Sequence, residues 1–291
     1  MLKIQGEDNM ANIETLVDDI HAIFNDHIET PDVSDEWCDE LGSSIGLMLR
    51  NRLQEQRKGG GLRLSGMGHG IRKQWYNARP ETPQEKLSPD VKMKFLYGDI
   101  LELVIIALAR LAGHTVSHEQ EEVEVEGIKG HIDCLIDGEL VDVKSASTYG
   151  FRKFQKEELQ MDDPFGYYAQ LAAYGHGMNK LPYGWLVFDK TLGHMCLSHA
   201  NETYMPDIVE RIKQVKESME QTVEPAPCCY PIPDGKSGNM KLDTQCSYCQ
   251  YKKHCWRESN NGRGLRTFIY STAPRHLTNV AVLPKVPEVN E

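Results

Sequence analysis

The segment HIDCLIDGELVDVK, His131 to Lys144, constrains the fold of this chain more than any other stretch. Two apolar-rich runs flank Asp137-Gly138, a dipeptide that supplies the positive φ angles of a two-residue type I′ turn. The segment therefore reads as a β-hairpin. With those two residues as the loop, paired positions sum to 275, so Ile136 faces Glu139 and Asp133 faces Asp142. Directly opposed like charges destabilise a sheet. Side chains alternate faces along a strand, which puts Lys144 on the face of Asp142. An Asp-x-Lys strand alone is ordinary solvated surface. Two carboxylates and an ammonium crowded together are different: they pack poorly, but they can share a divalent cation and steady a water or a developing anion.

The flanking segments add to that set. Residues 95 to 114, FLYGDILELVIIALARLAGH, predict a helix, with Leu101, Val104, Ile105, Leu108 and Leu111 at helical spacing and Gly113 at a C-terminal position. Glu102 lies inside this apolar stretch, where a carboxylate faces solvent or needs a cation. After the hairpin, MDDPFGYYAQLAAYGHGM predicts a second helix with Asp163 as N-cap and Pro164 at its first position. Gln170 and Tyr174 are four apart and share one face, able to hydrogen-bond phosphates or bases.

Taken together, Glu102, Asp133, Asp142-Val143-Lys144 and Gln170-x-x-x-Tyr174 resemble the PD-(D/E)xK nucleases, in particular the RecB-like exonuclease branch of the kind phages encode. The resemblance spans roughly residues 62 to 257. It implies an α/β fold with a restriction-endonuclease-like core, a mixed central sheet flanked by helices, a helical N-terminal region and a C-terminal cysteine module. It further implies that Glu102, Asp133 and Asp142 bind Mg²⁺ or Mn²⁺, with the Val143 carbonyl as an extra ligand. Lys144 then assists the attacking water, and Gln170 and Tyr174 contact DNA.

A second constellation lies near the C-terminus. CSYCQYKKHC gives Cys246-x2-Cys249-x5-Cys255, and Cys228 or Cys229 supplies a fourth thiolate. Such a set binds zinc or an iron–sulfur cluster. Zinc ribbons favour two Cys-x2-Cys pairs, and this stretch has one. The spacing resembles the [4Fe–4S] staple of AddB-type and CRISPR-adaptation nucleases, which draw their first cysteine from beside an Arg-Lys-x-Trp-Tyr-like segment. This chain has the segment, MGHGIRKQWY, without a cysteine in it. Cys229 is preferred as the fourth ligand because Tyr230-Pro231 turns the chain directly after it; Cys228 is the alternative, with Cys38 and His69 more remote.

Composition sets outer limits. The chain has 291 residues with 40% hydrophobic content, enough for a large domain with appendages. Its longest apolar stretch is interrupted by Glu102 and Arg110, so no membrane partner is expected. The N-terminus lacks the basic-then-apolar pattern of a signal peptide. Eight cysteines in an unexported chain then argue for reduced thiols and a cytoplasmic setting, the host's if the gene is phage-borne. Net charge of −11 weighs against nucleic acid as a partner. Its distribution counters this, because acid concentrates at 118 to 127 and in the first 40 residues. Arg57, Lys58, Arg63, Arg72, Lys73 and Arg79 cluster around Trp75 and Tyr76, Arg152-Lys153 follows the Asp-x-Lys strand, and Lys252, Lys253 and Arg257 flank Trp256. This pattern makes Arg72, Lys73, Trp75 and Tyr76 candidate DNA contacts.

The expected organisation is a helical region at 1–57, a flexible joint at Lys58 to Gly61, a nuclease core at 58–223, a four-cysteine metal module at 224–258 and a partly extended tail at 259–291. The expected activity is metal-dependent DNA hydrolysis, exonucleolytic in preference to endonucleolytic or nicking. A recombination or single-strand-binding protein is the natural protein partner. Two rivals remain: a non-catalytic DNA-binding scaffold, which would tend to lose the lysine or an acid, and a zinc-ribbon DNA-binding protein in which the hairpin is coincidental.

Overall fold

The computed structural model describes residues 12–25, 32–54, 61–271 and 273–289. In chain order its helices begin with α1 (Leu16–Ala22), α2 (Asp35–Gln54), α3 (Ile71–Asn77) and α4 (Pro89–Leu111). Strands β1 (Val116–Ser117), β2 (Glu122–Val125), β3 (Ile128–His131), β4 (Cys134–Ile136) and β5 (Glu139–Ala146) follow. Next come α5 (Thr148–Gln155), α6 (Tyr167–Met178), β6 (Pro182–Asp189), β7 (Met195–His199) and α7 (Ile208–Glu220). Strands β8 (Ile232–Pro233), β9 (Met240–Lys241), β10 (Arg266–Ile269) and β11 (Pro274–Asn279) complete the order.

The chain divides into two compact units. The first comprises Met1–Arg57, Pro89–Asp162 and Tyr168–Pro206; the second comprises Lys58–Ser88, Asp163–Tyr167 and Asp207–Glu291. The break at Arg57/Lys58 coincides with an expected boundary, whereas the break at Pro206/Asp207 comes before the expected one at 223. Ile13, Leu16 and Ile20 are buried in the same cluster as α4 and the strands, so the N-terminal residues are part of a core and not a separate region. Likewise α7 groups with the C-terminal residues instead of the sheet around Lys144. Arg57 and Lys58 of the basic cluster, and the expected joint up to Gly60, lie outside the described residues.

The first unit is a mixed α/β structure. Its sheet has the order β1-β4-β5-β6-β7, with β5 and β6 parallel and the other neighbours antiparallel. A parallel pair cannot be closed by a tight turn; α5 and α6 form the crossover between β5 and β6. Alternation divides the strand residues between two layers. Cys134, Ile136, Val141, Val143 and Leu186 meet Ile105, Ile106 and Ala109 of α4 together with the α1 residues. On the other face Trp185 is fully buried, met edge-on by Phe154 and Tyr168 at 5.7 and 5.0 Å between ring centroids. Emptying that position with Trp185→Ala costs about 3–5 kcal/mol.

The hairpin register follows the turn chemistry. Cys134 pairs with Val141, Leu135 with Leu140 and Ile136 with Glu139, around Asp137 at φ 51° and Gly138 at φ 82°. Asp137 also anchors the turn: its Oδ1 accepts from Thr115 N at 2.9 Å, and its Oδ2 lies 2.7 Å from Nδ1 of buried His114. Because His114 directly follows the C-terminal turn of α4, this contact ties hairpin to helix. Upstream, β2 and β3 form a hairpin of their own.

One expected helix start is corrected. α6 begins at Tyr167, not Pro164, because Gly166 takes φ +75° and interrupts helical geometry. Asp163 still acts as a local cap, with Oδ1 accepting from the backbone N–H groups of Gly166 and Tyr167 at 2.9 and 3.0 Å.

In the second unit, α7 is capped by Asp207 and buries Ile208, Ile212 and Val215. Its Arg211 donates to the carbonyls of Met67 and His69 at 3.0 and 2.6 Å. Gly68 and Gly166 approach so closely that a Cβ on either would strike the other's backbone. The tail is not merely extended. β10 and β11 join β9 and β8 in a four-stranded antiparallel sheet, because Phe268 and Leu277 bury apolar side chains there.

Candidate active site

Asp142 occupies the middle of β5, paired in register with buried Trp185, and is itself buried. Lys144 lies two residues on, and its Nζ is 2.6 Å from Asp142 Oδ2. Asp133 immediately precedes β4, and its Oδ2 accepts a hydrogen bond from Val143 N at 2.7 Å. That bond holds the Asp133 carboxylate against β5 where the hairpin register alone would only bring it opposite Asp142. Asp142 Oδ1 is buried and accepts no hydrogen bond. An anion so placed is costly unless a cation completes it.

Glu102 joins this group from α4. Burial raises its carboxyl from the ordinary 4.5 to about 7; Asp142 and Asp99 add to the rise, and Lys144 and Arg52 oppose it. Asp133 is pushed well above the usual carboxylate range, first by burial and then by the negative charges of Glu102 and Asp142. Glu102, Asp133, Asp142 and Lys144 thus act on one another electrostatically. Tyr174 belongs to the same environment: burial and the charges of Asp142 and Asp133 raise its phenol, and its hydroxyl accepts from Gln170 Nε2 at 3.1 Å.

Three participants escaped the sequence reading. Gln120 Nε2 donates to Glu102 Oε1 at 2.9 Å. Arg52 of α2 pairs with Asp99, its Nη2 2.7 Å from Oδ1. Asp99 carried a usable signal, because it stands three residues before Glu102 on the same helical face. Nothing local links Gln120 or Arg52 to this helix.

The basic-aromatic segment has another role. Tyr76 is buried with its hydroxyl bonded to Glu224, and Arg72 contacts the Pro225 carbonyl, Glu224 at 2.9 Å and Cys255 Sγ at 3.2 Å. Trp75 Nε1 donates to the Gln221 carbonyl at 2.9 Å, under the guanidinium of Arg79 at 3.6 Å from the ring centroid. Burial lowers the Lys73 ammonium while the Cys249 and Cys228 thiols counteract it. The polar groups of Arg72, Trp75 and Tyr76, which were expected to face DNA, are engaged inside the second unit, and Lys73 is half-buried beside the cysteines.

What that segment surrounds is a small cavity. Cys228, Cys246, Cys249 and Cys255 line it with Gly70, Arg72, Lys73 and Tyr76. Gly70 is required, since a Cβ there would collide with Cys228. Cys229, the preferred fourth ligand, is disulfide-bonded to Cys246, with Cα atoms 6.7 Å apart. The expectation of wholly reduced thiols is corrected by this bond, and of the adjacent pair it is Cys228 that lines the cavity. Asp243 caps the turn of Cys246, and ligand atoms of Cys229, Asp243 and Cys246 lie within 4.8 Å of one another.

No family model and no curated protein matches the chain. Among solved structures it is similar to SSO0001, at 14% identity over 72% of this chain and 93% of that one, with a TM-score of 0.34. A likeness that weak carries no argument about fold or activity. Among the described residues, no helix is long and apolar enough to cross a membrane.

Proposed function

We propose that this protein is a divalent-metal-dependent deoxyribonuclease with a RecB-like PD-(D/E)xK core, exonucleolytic in preference to endonucleolytic, acting in phage DNA recombination, repair or degradation. The observation that carries the reading is the buried Asp142 carboxylate, with neither oxygen hydrogen-bonded, crowded by Asp133 and Glu102 and ion-paired through Oδ2 with Lys144. In a hairpin and helix that served packing alone, three acids in electrostatic conflict would only cost stability.

The donor set suits a hard cation: carboxylate oxygens from Glu102, Asp133 and Asp142, with the Val143 carbonyl adjacent. Mg²⁺ or Mn²⁺ bound there supplies charge neutralisation at the scissile phosphate and acidifies water. The chain's own residues do the rest. Lys144 steadies the attacking water or the charge that develops beside it. Arg52 holds Asp99 and moderates the negative field at Glu102. Gln170 and Tyr174 form a fixed hydrogen-bonded pair that orients the strand to be cut.

The cysteine cavity supports a second cofactor. Cys228, Cys249 and Cys255 are free, and reduction of the Cys229–Cys246 bond releases Cys246 as the fourth thiol. Those four would hold a [4Fe–4S] cluster, or Zn²⁺ in its place, and pin the C-terminal segment.

End-labelled linear and closed circular DNA, incubated with the protein and Mg²⁺, test the reading. Release of labelled mononucleotides or short oligonucleotides from linear DNA alone supports the exonuclease. Cutting of circles moves the assignment to an endonuclease of the same core. DNA binding without any cleavage in Mg²⁺ or Mn²⁺ leaves a non-catalytic binding protein.

A further inference from the structure

The end of the sheet beyond Lys144 holds two lysines for which the described residues supply no ion-pair partner. Lys190 follows β6 directly, and its backbone N–H donates to the Ala146 carbonyl at 3.1 Å, which fixes it at the tip of β5. On α4, a Cβ at Gly98 would lie 3.3 Å from Ser145 Oγ. Lys94 stands one helical turn before Gly98 on the same face, so it overhangs the same strand end. Among the described residues neither lysine forms an ion pair or a side-chain hydrogen bond. The adjacent Asp189 bonds neither lysine: its Oδ1 accepts from Thr148 Oγ1, Thr191 N and Leu192 N, and its Oδ2 is buried without a hydrogen bond. Burial and the charge of Lys94 lower the Lys190 ammonium from its ordinary value, as two neighbouring cations without a counterion require.

Two ammonium groups at one strand end repel each other, and an anion between them relieves that repulsion. The surroundings indicate which anion. Lys94 is eight residues before Glu102, about 12 Å along the helix. Lys190 lies three register positions beyond the partner of Lys144, about 10 Å along the strand. Two exposed rings stand nearby: Phe95 beside Lys94 on α4, 46% exposed, and Tyr149 on α5, 72% exposed with Lys153 Nζ 5.0 Å over its ring centroid. Uncompensated cations beside exposed rings suit a nucleic-acid strand.

We propose that Lys94 and Lys190 form a phosphate subsite for the strand being cut, holding a backbone phosphate about three linkages from the scissile one. The distance follows from a rise of about 3.4 Å per nucleotide in a B-form strand. The subsite rests on the nuclease reading, but its test is separable from it.

The test combines binding and turnover of a labelled oligonucleotide. With Ca²⁺ as the metal, the double variant Lys94→Gln/Lys190→Gln is expected to weaken binding about tenfold. It should also flatten the slope of log Kd against log salt by about 0.7, one phosphate contact on a single strand. Lys94→Arg/Lys190→Arg should restore both. In Mg²⁺ the loss should fall on KM more than on kcat. A series of oligonucleotides, each with one neutral methylphosphonate linkage, should reveal one position that weakens binding to the wild type and leaves the Gln variant unaffected. If the wild type cleaves DNA but the Gln variant keeps its affinity, salt slope and linkage pattern, the subsite is refuted and the nuclease stands. Lysine-dependent binding with no cleavage sinks the nuclease and keeps the subsite. Absence of both binding and cleavage overturns both.

Discussion

Glu102→Gln should make the metal-free protein more stable, and only on the alkaline side. Glu102 titrates near 7 in the folded chain against an ordinary 4.5, chiefly because it is buried. Between those values the folded state holds a proton that the unfolded state has released. The stability associated with this proton is therefore complete below about pH 4.5 and is lost as pH rises through 7. At 1.36 kcal/mol per pH unit, the wild type forfeits on the order of 3 kcal/mol by pH 8. Glutamine forfeits nothing, and its Oε1 can still accept from Gln120. Urea unfolding in EDTA should thus show the variant more stable by up to about 3 kcal/mol at pH 8 and nearly equal to wild type at pH 4.5. Mg²⁺ at about 1,000 times its Kd should reverse the order at pH 8, since it adds about 4.1 kcal/mol to the chain that binds it. A variant less stable than wild type in EDTA at pH 8 would refute the claim that the folded chain holds the ionised Glu102 carboxylate at a cost.

Other expectations follow from the same geometry. Tyr174→Phe deletes the hydroxyl that receives Gln170 and should lower kcat/KM about 2–10-fold, the worth of one hydrogen bond, measured by initial rates on a fixed oligonucleotide. Protein purified under reducing conditions should contain iron, with broad absorbance near ~400 nm, or else zinc and no colour; Cys249→Ser and Cys255→Ser should lose the metal and melt at lower temperature. Cys228→Ser should behave like them, because Cys228 lines the cavity, and Gly70→Ala should do so through its collision with Cys228. Unchanged metal content and melting in Cys228→Ser would return the fourth position to Cys229.

The parts of the fold that could be read from sequence are those decided locally. Asp137-Gly138 dictated turn type and register together, and register placed Asp142 and Lys144 on one face. The period of α4 carried Glu102 with it. Where longer-range packing decides, sequence was a poor guide. Ile13, Leu16 and Ile20 show helical spacing, but nothing in that spacing says which sheet they cover. Arg72, Lys73, Trp75 and Tyr76 have the composition of a DNA-binding track, yet Glu224, the Gln221 carbonyl and the cysteines claim them, from partners about 150 residues away. The adjacent cysteines are distinguished by direction alone: Cys228 turns to Gly70 and the cavity, while Cys229 bonds to Cys246. Lys94 and Lys190 carry no motif and come together only because α4 overhangs the end of β5.

The central claim is that Glu102, Asp133, Asp142 and Lys144 make one metal-dependent hydrolytic centre. Its most direct test is the cleavage rate of linear DNA by wild type, Asp142→Ala and Lys144→Ala, each confirmed as folded by circular dichroism, in Mg²⁺ and in EDTA. The account predicts cleavage by wild type in Mg²⁺ only, and a loss of at least about 100-fold in each variant. Cleavage that persists in EDTA, or at wild-type rate in either variant, would contradict it.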